Sequence, residues 1–168
     1  WPEVMVAYED SQKVLFSADG FGNFGSLTYT DAWADEARRY YCNIVGKYGV
    51  QVQGLLKKAA ALDIQTVCPL HGPQLSGDAL TRALALYSLW AAWKPEESGV
   101  LVAYAGFHGH TAEAAKLLAE KLHALGETVE VVDLNRVHKS YAVASAFKFD
   151  RMALCAATYD GAYAPAME

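Results

Sequence analysis

Cysteine is scarce: Cys42, Cys68 and Cys155 are the only three, and they stand far apart. Their odd number and spacing argue against a disulfide framework or a zinc knuckle and agree with a reducing, cytoplasmic setting. No apolar run approaches the ~18 residues that crossing a bilayer requires. The longest, Ala83 to Trp93, already contains Tyr87 and Ser88, so no membrane association is expected. A basic stripe is also missing. Fourteen Lys and Arg are scattered against nineteen acids, for a formal charge of -5, which argues against a nucleic-acid or anionic-membrane surface. No secretory leader is expected from the residues that open the sequence, and there is no internal repeat, no G-x-G-x-x-G and no Walker lysine. The last two absences disfavour a dinucleotide or a nucleoside triphosphate as ligand.

With 53% hydrophobic and 12% aromatic residues in 168, the chain can bury a core and is not a disordered sequence. The length allows one ordinary domain or two small ones. Val4, Val6 and Tyr8 alternate into the polar Glu9-Asp10-Ser11-Gln12, and Val14 to Phe16 follow, which predicts a β-hairpin. A glycine-rich loop begins with Asp19. Trp33, Ala37, Tyr40, Tyr41 and Ile44 recur at helical spacing between Asp31 and Val45, and a second amphipathic stretch runs from Val50 to Leu62. Ile64 to Cys68 reads as a short buried strand ended by Pro69, and Asp78 to Trp93 as a third helix. Lys94-Pro95-Glu96-Glu97-Ser98-Gly99 is polar and is read as an interdomain linker. Beyond it, strands at Val100 to Ala105, Val129 to Leu134 and Met152 to Ala157 alternate with helices at Ala112 to Leu125 and Tyr141 to Phe147. That order predicts a parallel sheet. Residues 158–168 read as a loop.

Three groups of residues could carry chemistry. Gly106, Phe107, His108, Gly109, His110 and Thr111 join a buried strand to a helix, where backbone N–H groups converge on an anion. Thr111 is placed to cap the helix, and an ordinary turn accounts equally well for the same string. Thr158, Tyr159, Asp160 and Gly161 follow the third strand and face the same crevice in a doubly wound sheet. There a planar heterocycle could stack and bond, or the residues could form a plain exposed turn. Asp19 and His71 each follow a strand; a carboxylate with an imidazole suits iron, zinc or manganese, although each alone is also an ordinary loop residue.

Taken together, the strings are more specific than any one of them. Trp1-Pro2 leads to Leu15-Phe16-Ser17-Ala18-Asp19-Gly20-Phe21-Gly22. Then come Glu36-Ala37-Arg38-Arg39-Tyr40-Tyr41-Cys42-Asn43-Ile44 and Cys68-Pro69-Leu70-His71-Gly72-Pro73. This order resembles the second half of the metallo-β-lactamase-like domain of flavodiiron proteins, also called A-type flavoproteins. Ala103-Tyr104 through Thr111-Ala112-Glu113, with Thr158-Tyr159-Asp160-Gly161 and Pro165-Ala166-Met167-Glu168, resembles the first part of that family's flavodoxin-like domain. The resemblance implies an α/β fold: the C-terminal part of an αββα metallo-β-lactamase-like domain (1–93), a linker (94–99) and the first three strands of a flavodoxin-like doubly wound parallel sheet (100–168).

It also implies chemistry. Asp19 matches the carboxylate that bridges two non-haem irons, and His71 a terminal ligand. The family's remaining ligands, from a His-x-Glu-x-Asp-His segment and a histidine preceding the Trp-Pro pair, would lie before Trp1. FMN would bind at residues 106–111 and 158–161 and pass electrons to a diiron site that reduces O2 to water or NO to N2O. The resemblance further implies a rubredoxin-like electron donor and a head-to-tail homodimer or tetramer. Two departures are visible: the family usually offers Ser where this chain has Gly106 and Asn where it has His110. With three flavodoxin-like strands and a metal domain cut at Trp1, the sequence is expected to be part of a longer reading frame. Two other functions stay open: an FMN electron carrier with a degenerate metal domain, and a zinc hydrolase fused to a flavodoxin-like module.

Overall fold

The computed structural model describes residues 4–168, so the Trp1-Pro2 pair lies outside the described residues. The chain divides into two compact units, Trp1–Lys94 and Pro95–Glu168. In the first, β1 (Ala7–Glu9) and β2 (Val14–Phe16) form an antiparallel hairpin with Tyr8 opposite Leu15. The Glu9 carboxylate closes its turn by accepting from the Ser11 and Gln12 amides at 3.0 and 2.7 Å. β2 pairs in parallel with β3 (Thr66–Cys68), which takes β4 (Leu75–Ser76) antiparallel on its other side. A parallel pair requires a long crossover, and helices supply it: α1 (Trp33–Tyr40) and α2 (Gly49–Ala59).

The helix expected from Asp31 to Val45 is α-helical only through Tyr40, and Tyr41–Val45 widen into a π turn. The widened turn coincides with an aromatic cluster. Tyr41 lies 5.2 Å from the Tyr87 ring and 5.3 Å from that of Trp90, both on α3 (Gly77–Ala91). Leu80, Ala83, Tyr87 and Trp90 recur at helical spacing and are buried, so α3 presents one apolar face to this core. Each such aromatic removes a large apolar area from water, contributing about 1.5–3 kcal/mol.

In the second unit, β5 (Glu97–Ala105) is the centre of a parallel sheet of order β6-β5-β7, with β6 at Val129–Asp133 and β7 at Phe149–Ala156. Val100 through Ala105 are buried, as a strand covered on both faces requires. Val100, Val102 and Tyr104 pack with Ala115 and Leu118 of α4 (His110–Ala124), while Leu101 and Ala103 pack with Ala142 and Ala146 of α5 (Lys139–Lys148). Alternation along one strand thus sorts the two helices to opposite faces.

Two segments hold regular structure beyond that expected. Of the segment 94–99, expected to be a linker, Glu97–Gly99 belong to β5 and the Glu96 amide donates to the Lys148 carbonyl at 2.9 Å, while the boundary between the two units falls at Lys94–Pro95. Strand-end contacts hold the segment: Lys148 Nζ lies 3.0 Å from Glu97, and the Gly99 amide donates to Asp150 at 2.9 Å. A Cβ at Gly99 would overlap the Phe149 ring, so that glycine serves close approach, not flexibility. Residues 158–168 are not a plain loop. Thr158–Tyr159 (β8) and Ala162–Tyr163 (β9) form a small hairpin around Asp160 and Gly161, with φ of 49° and 76°. Two successive positive φ values are what Asp-Gly tolerates in a tight hairpin turn. Among the described residues, no helix is long and apolar enough to cross a membrane.

Candidate functional site

The register of β2 on β3 sets the first group of residues. Phe16 pairs with Cys68, and Asp19 and His71 each lie three residues beyond one partner, at the same end of neighbouring parallel strands. Asp19 Oδ1 and His71 Nε2 are 3.6 Å apart. The two loops are stitched together by backbone bonds, the Leu70 amide to the Ala18 carbonyl at 2.9 Å and the Asn23 amide to the His71 carbonyl at 3.2 Å. Neither side chain is buried away from solvent, at 29% exposure for Asp19 and 57% for His71. A ligand could reach both.

The loop after β2 carries backbone strain. Ala18 and Phe21 hold φ of 52° and 65°, a region that costs a non-glycine residue about 1 kcal/mol or more. Surrounding contacts fix it. Ser17 Oγ donates to the Gly20 carbonyl at 2.7 Å, and the Phe21 amide donates to the Tyr87 hydroxyl at 2.7 Å. Tyr40, at the end of α1, donates to Asp19 Oδ1 at 3.4 Å, and its ring centroid lies 5.7 Å from that of His71. Burial, and secondarily the Asp19 charge, pushes the Tyr40 phenol up to about 12, so it remains a donor across the physiological range. The sequence placed Tyr40 on the apolar face of a helix; its neighbourhood with Asp19 depends on how α1 folds back over the strand ends.

A carboxylate and an imidazole at this separation offer donors suited to a first-row divalent metal. Two ligands do not close a site. Among the described residues no group of three or more His, Cys, Asp and Glu is gathered for a metal.

The second group divides between two cavities. Phe107, His108, His110 and Thr111 line one of about 530 Å³ together with Ala157, Thr158 and Tyr159. The Phe107 and Tyr159 ring centroids are 5.3 Å apart. Gly106 and Gly109 instead border a cavity of about 450 Å³ whose walls include Lys116, Asp133 and Arg136. Asp160 and Gly161 form the hairpin turn and do not line the first cavity. Nothing in the sequence reading pointed to Lys116 or Arg136, because isolated cations on a helix and a loop carry no pattern.

The expected capping role of Thr111 is not realised. Gly109 is the N-cap, with φ of 88° and no side-chain cap bond, and α4 begins at His110. Thr111 turns toward Gly106, where an added Cβ would come within 2.8 Å of its Cβ and Oγ1. Gly106, where the resemblance led one to expect Ser, thus accommodates the Thr111 side chain. His110 Nδ1 lies 3.8 Å from Glu113 Oε2, with both side chains exposed.

No family model matches the chain. It is 29% identical over 152 residues to the rubredoxin-oxygen oxidoreductase of Megalodesulfovibrio gigas, covering 83% of this chain and 37% of the relative. It is 25% identical over 159 residues to the anaerobic nitric oxide reductase flavorubredoxin of Aliivibrio salmonicida, covering 88% and 32%. The solved rubredoxin oxygen:oxidoreductase of Desulfovibrio gigas superposes on 99% of this chain and 44% of its own, with a TM-score of 0.87 at 27% identity. The solved flavodiiron protein of Giardia intestinalis shares the fold over 99% of this chain and 42% of its own, with a TM-score of 0.91 at 22% identity. The chain therefore spans less than half the length of these relatives. Its relatives and structural neighbours include flavodiiron proteins, and its α/β fold matches theirs, consistent with a partial metallo-β-lactamase-like plus flavodoxin-like arrangement.

Proposed function

We propose, from its homology to the flavodiiron proteins, that this chain is part of a flavin- and iron-dependent oxidoreductase that reduces O2 to water, NO to N2O, or both. One observation carries the reading: Asp19 and His71 stand 3.6 Å apart at the same end of two parallel strands. The relatives' names, an oxygen oxidoreductase and a nitric oxide reductase, support this substrate class.

Within this chain Asp19 would bridge two irons and His71 would bind one of them, the remaining ligands coming from elsewhere in the full-length protein. The donor set agrees with that assignment, since a carboxylate can span two cations through its two oxygens while a neutral imidazole offers one lone pair to one cation. Tyr40 holds its proton and hydrogen-bonds Asp19, limiting the directions in which that carboxylate can point. When bound, the metal pair supplies the redox chemistry and FMN supplies it with electrons.

FMN would occupy the cavity between the β5–α4 loop and β8. The first-turn amides of α4 have no intrahelical partner and face an anion favourably, and Phe107 with Tyr159 offers an aromatic wall. A rubredoxin-like donor, a cytoplasmic location and a head-to-tail homodimer or tetramer complete the proposal.

The test is metal and flavin analysis of the full-length protein followed by O2 and NO uptake with a reduced donor. Bound iron and FMN with donor-dependent uptake are expected. Zinc with donor-independent hydrolysis, or FMN without metal, would overturn the reading in favour of a hydrolase or a simple electron carrier.

A further inference from the structure

We infer that Asn135 is a positioning residue for the flavin: its side-chain amide holds the Gly106 carbonyl on the β6 side of the sheet, which keeps the Phe107 amide facing the cavity shared with Tyr159. The inference rests on the reading of the second unit as an FMN site. Asn135 is exposed, stands in the loop after β6 and does not line that cavity. Its Nδ2 donates to the Gly106 carbonyl at 3.1 Å and to Asp133 Oδ1 at 3.2 Å. Asp133 Oδ1 also accepts the Asn135 backbone amide at 2.9 Å. A carbonyl and a carboxylate only accept, so the side chain must present its nitrogen to them and not its oxygen.

This bond extends the ladder of β5 by one step. The Tyr104 carbonyl accepts the Leu134 amide at 2.9 Å on the β6 side, and the Ala105 carbonyl accepts the Ala157 amide at 3.0 Å on the β7 side. The Gly106 carbonyl returns to the β6 side, where the Asn135 side chain takes the place of a backbone amide. In a planar trans peptide the N–H opposes the C=O. The Phe107 N–H therefore points to the β7 side, where Ala157, Thr158 and Tyr159 wall the cavity. It meets no backbone acceptor among the described residues, and a ligand oxygen can take it. Residue 106 cannot hold this orientation by itself. Thr111 leaves no room for a Cβ there, and a glycine permits the peptide to turn over. A reversed peptide would aim a carbonyl oxygen at an anionic ligand, and Asn135 opposes that reversal.

Dissociation constants of FMN and riboflavin are measured by flavin fluorescence on the full-length protein stripped of flavin, for the wild type, Asn135→Ala and Asn135→Asp. Alanine removes the donor without adding charge; aspartate keeps the shape and can only accept. Riboflavin shares the ring system and lacks the anionic group, so it reports any general loosening of the loop. In both variants FMN affinity should fall about three- to tenfold, the worth of one hydrogen bond to a charged group. Riboflavin affinity should change by less than about twofold, and the thermal midpoint should hardly move, because Asn135 is exposed. Unchanged FMN affinity in Asn135→Ala would overturn the inference while leaving FMN as the ligand. So would an equal loss for both flavins, which would make Asn135 a prop for the loop and not a guide for the peptide. If the wild type binds FMN no more tightly than riboflavin, the FMN reading itself fails, and this inference with it.

Discussion

The Tyr40 hydroxyl donates to Asp19 Oδ1 at 3.4 Å, tying the last turn of α1 to the carboxylate at the end of β2. Groups that orient a metal-binding carboxylate without touching the metal commonly change affinity 10- to 100-fold when removed. Tyr40→Phe keeps the ring against His71 and Phe24 and deletes only the donor. In the full-length protein we expect iron affinity to fall about tenfold, read by competition with a chelator, with the thermal midpoint nearly unchanged. Unaltered iron retention would show that the phenol only packs.

Gly72 governs the second loop. It sits at φ +98°, and a Cβ there would overlap Asn23 Oδ1, whose own residue donates its amide to the His71 carbonyl. Gly72→Ala combines a left-handed penalty with an overlap in a packed place, about 2–4 kcal/mol in all. Urea unfolding should show that loss. Adding Asn23→Ala removes the overlap but not the backbone penalty, so the double variant should regain only part of the stability. Full recovery would assign the whole cost to the Asn23 side chain.

Tyr87 is fully buried, and its hydroxyl accepts the Phe21 amide at 2.7 Å. Burial pushes its phenol well above the ordinary value, so it stays neutral. Tyr87→Phe leaves a buried amide unsatisfied at a residue already held at φ 65°. The expected cost is about 1–3 kcal/mol, measured as a drop in the denaturation midpoint. Faster hydrogen exchange at Phe21 than at residues of α3 would localise the effect to the loop that carries Asp19.

Much of this arrangement was legible in the sequence, and the residues show why. The hairpin, the helices and the parallel strands follow from alternation and helical periodicity, and Asp19 and His71 drew notice because each follows a strand. Their proximity comes from a register, Phe16 on Cys68, that one sequence does not announce. β4 and the β8–β9 hairpin are two-residue strands, too short for any period to appear. Glu97 to Gly99 belong to a strand that polarity alone does not reveal, because a linker and a solvated strand end look the same in sequence. Tyr40 was counted with the core, since helical spacing does not tell a buried ring from one whose hydroxyl reaches a carboxylate.

The last prediction concerns acid stability of the second unit. Arg151 bonds both Glu127 oxygens at 2.8 and 2.6 Å and Asp150 at 3.2 Å. The guanidinium holds the Glu127 carboxyl below its usual value, and the Gly99 amide, followed by Arg151, does the same for Asp150. A carboxylate depressed in the folded state binds fewer protons there than in the unfolded chain, so its contribution is present above the unfolded value and fades as pH falls through the folded one. The window therefore opens below the ordinary carboxylate values of 4.5 and 3.8. Arg151→Gln should flatten the decline of the urea midpoint between pH 6 and 3, with the wild type the more stable at pH 6. Asp150 keeps its bond from Gly99, so some decline should persist in the variant. Because all three side chains are substantially solvated, added salt should shrink the difference between the two proteins. Parallel declines at low salt would show that the cluster orders the strand ends without stabilising them.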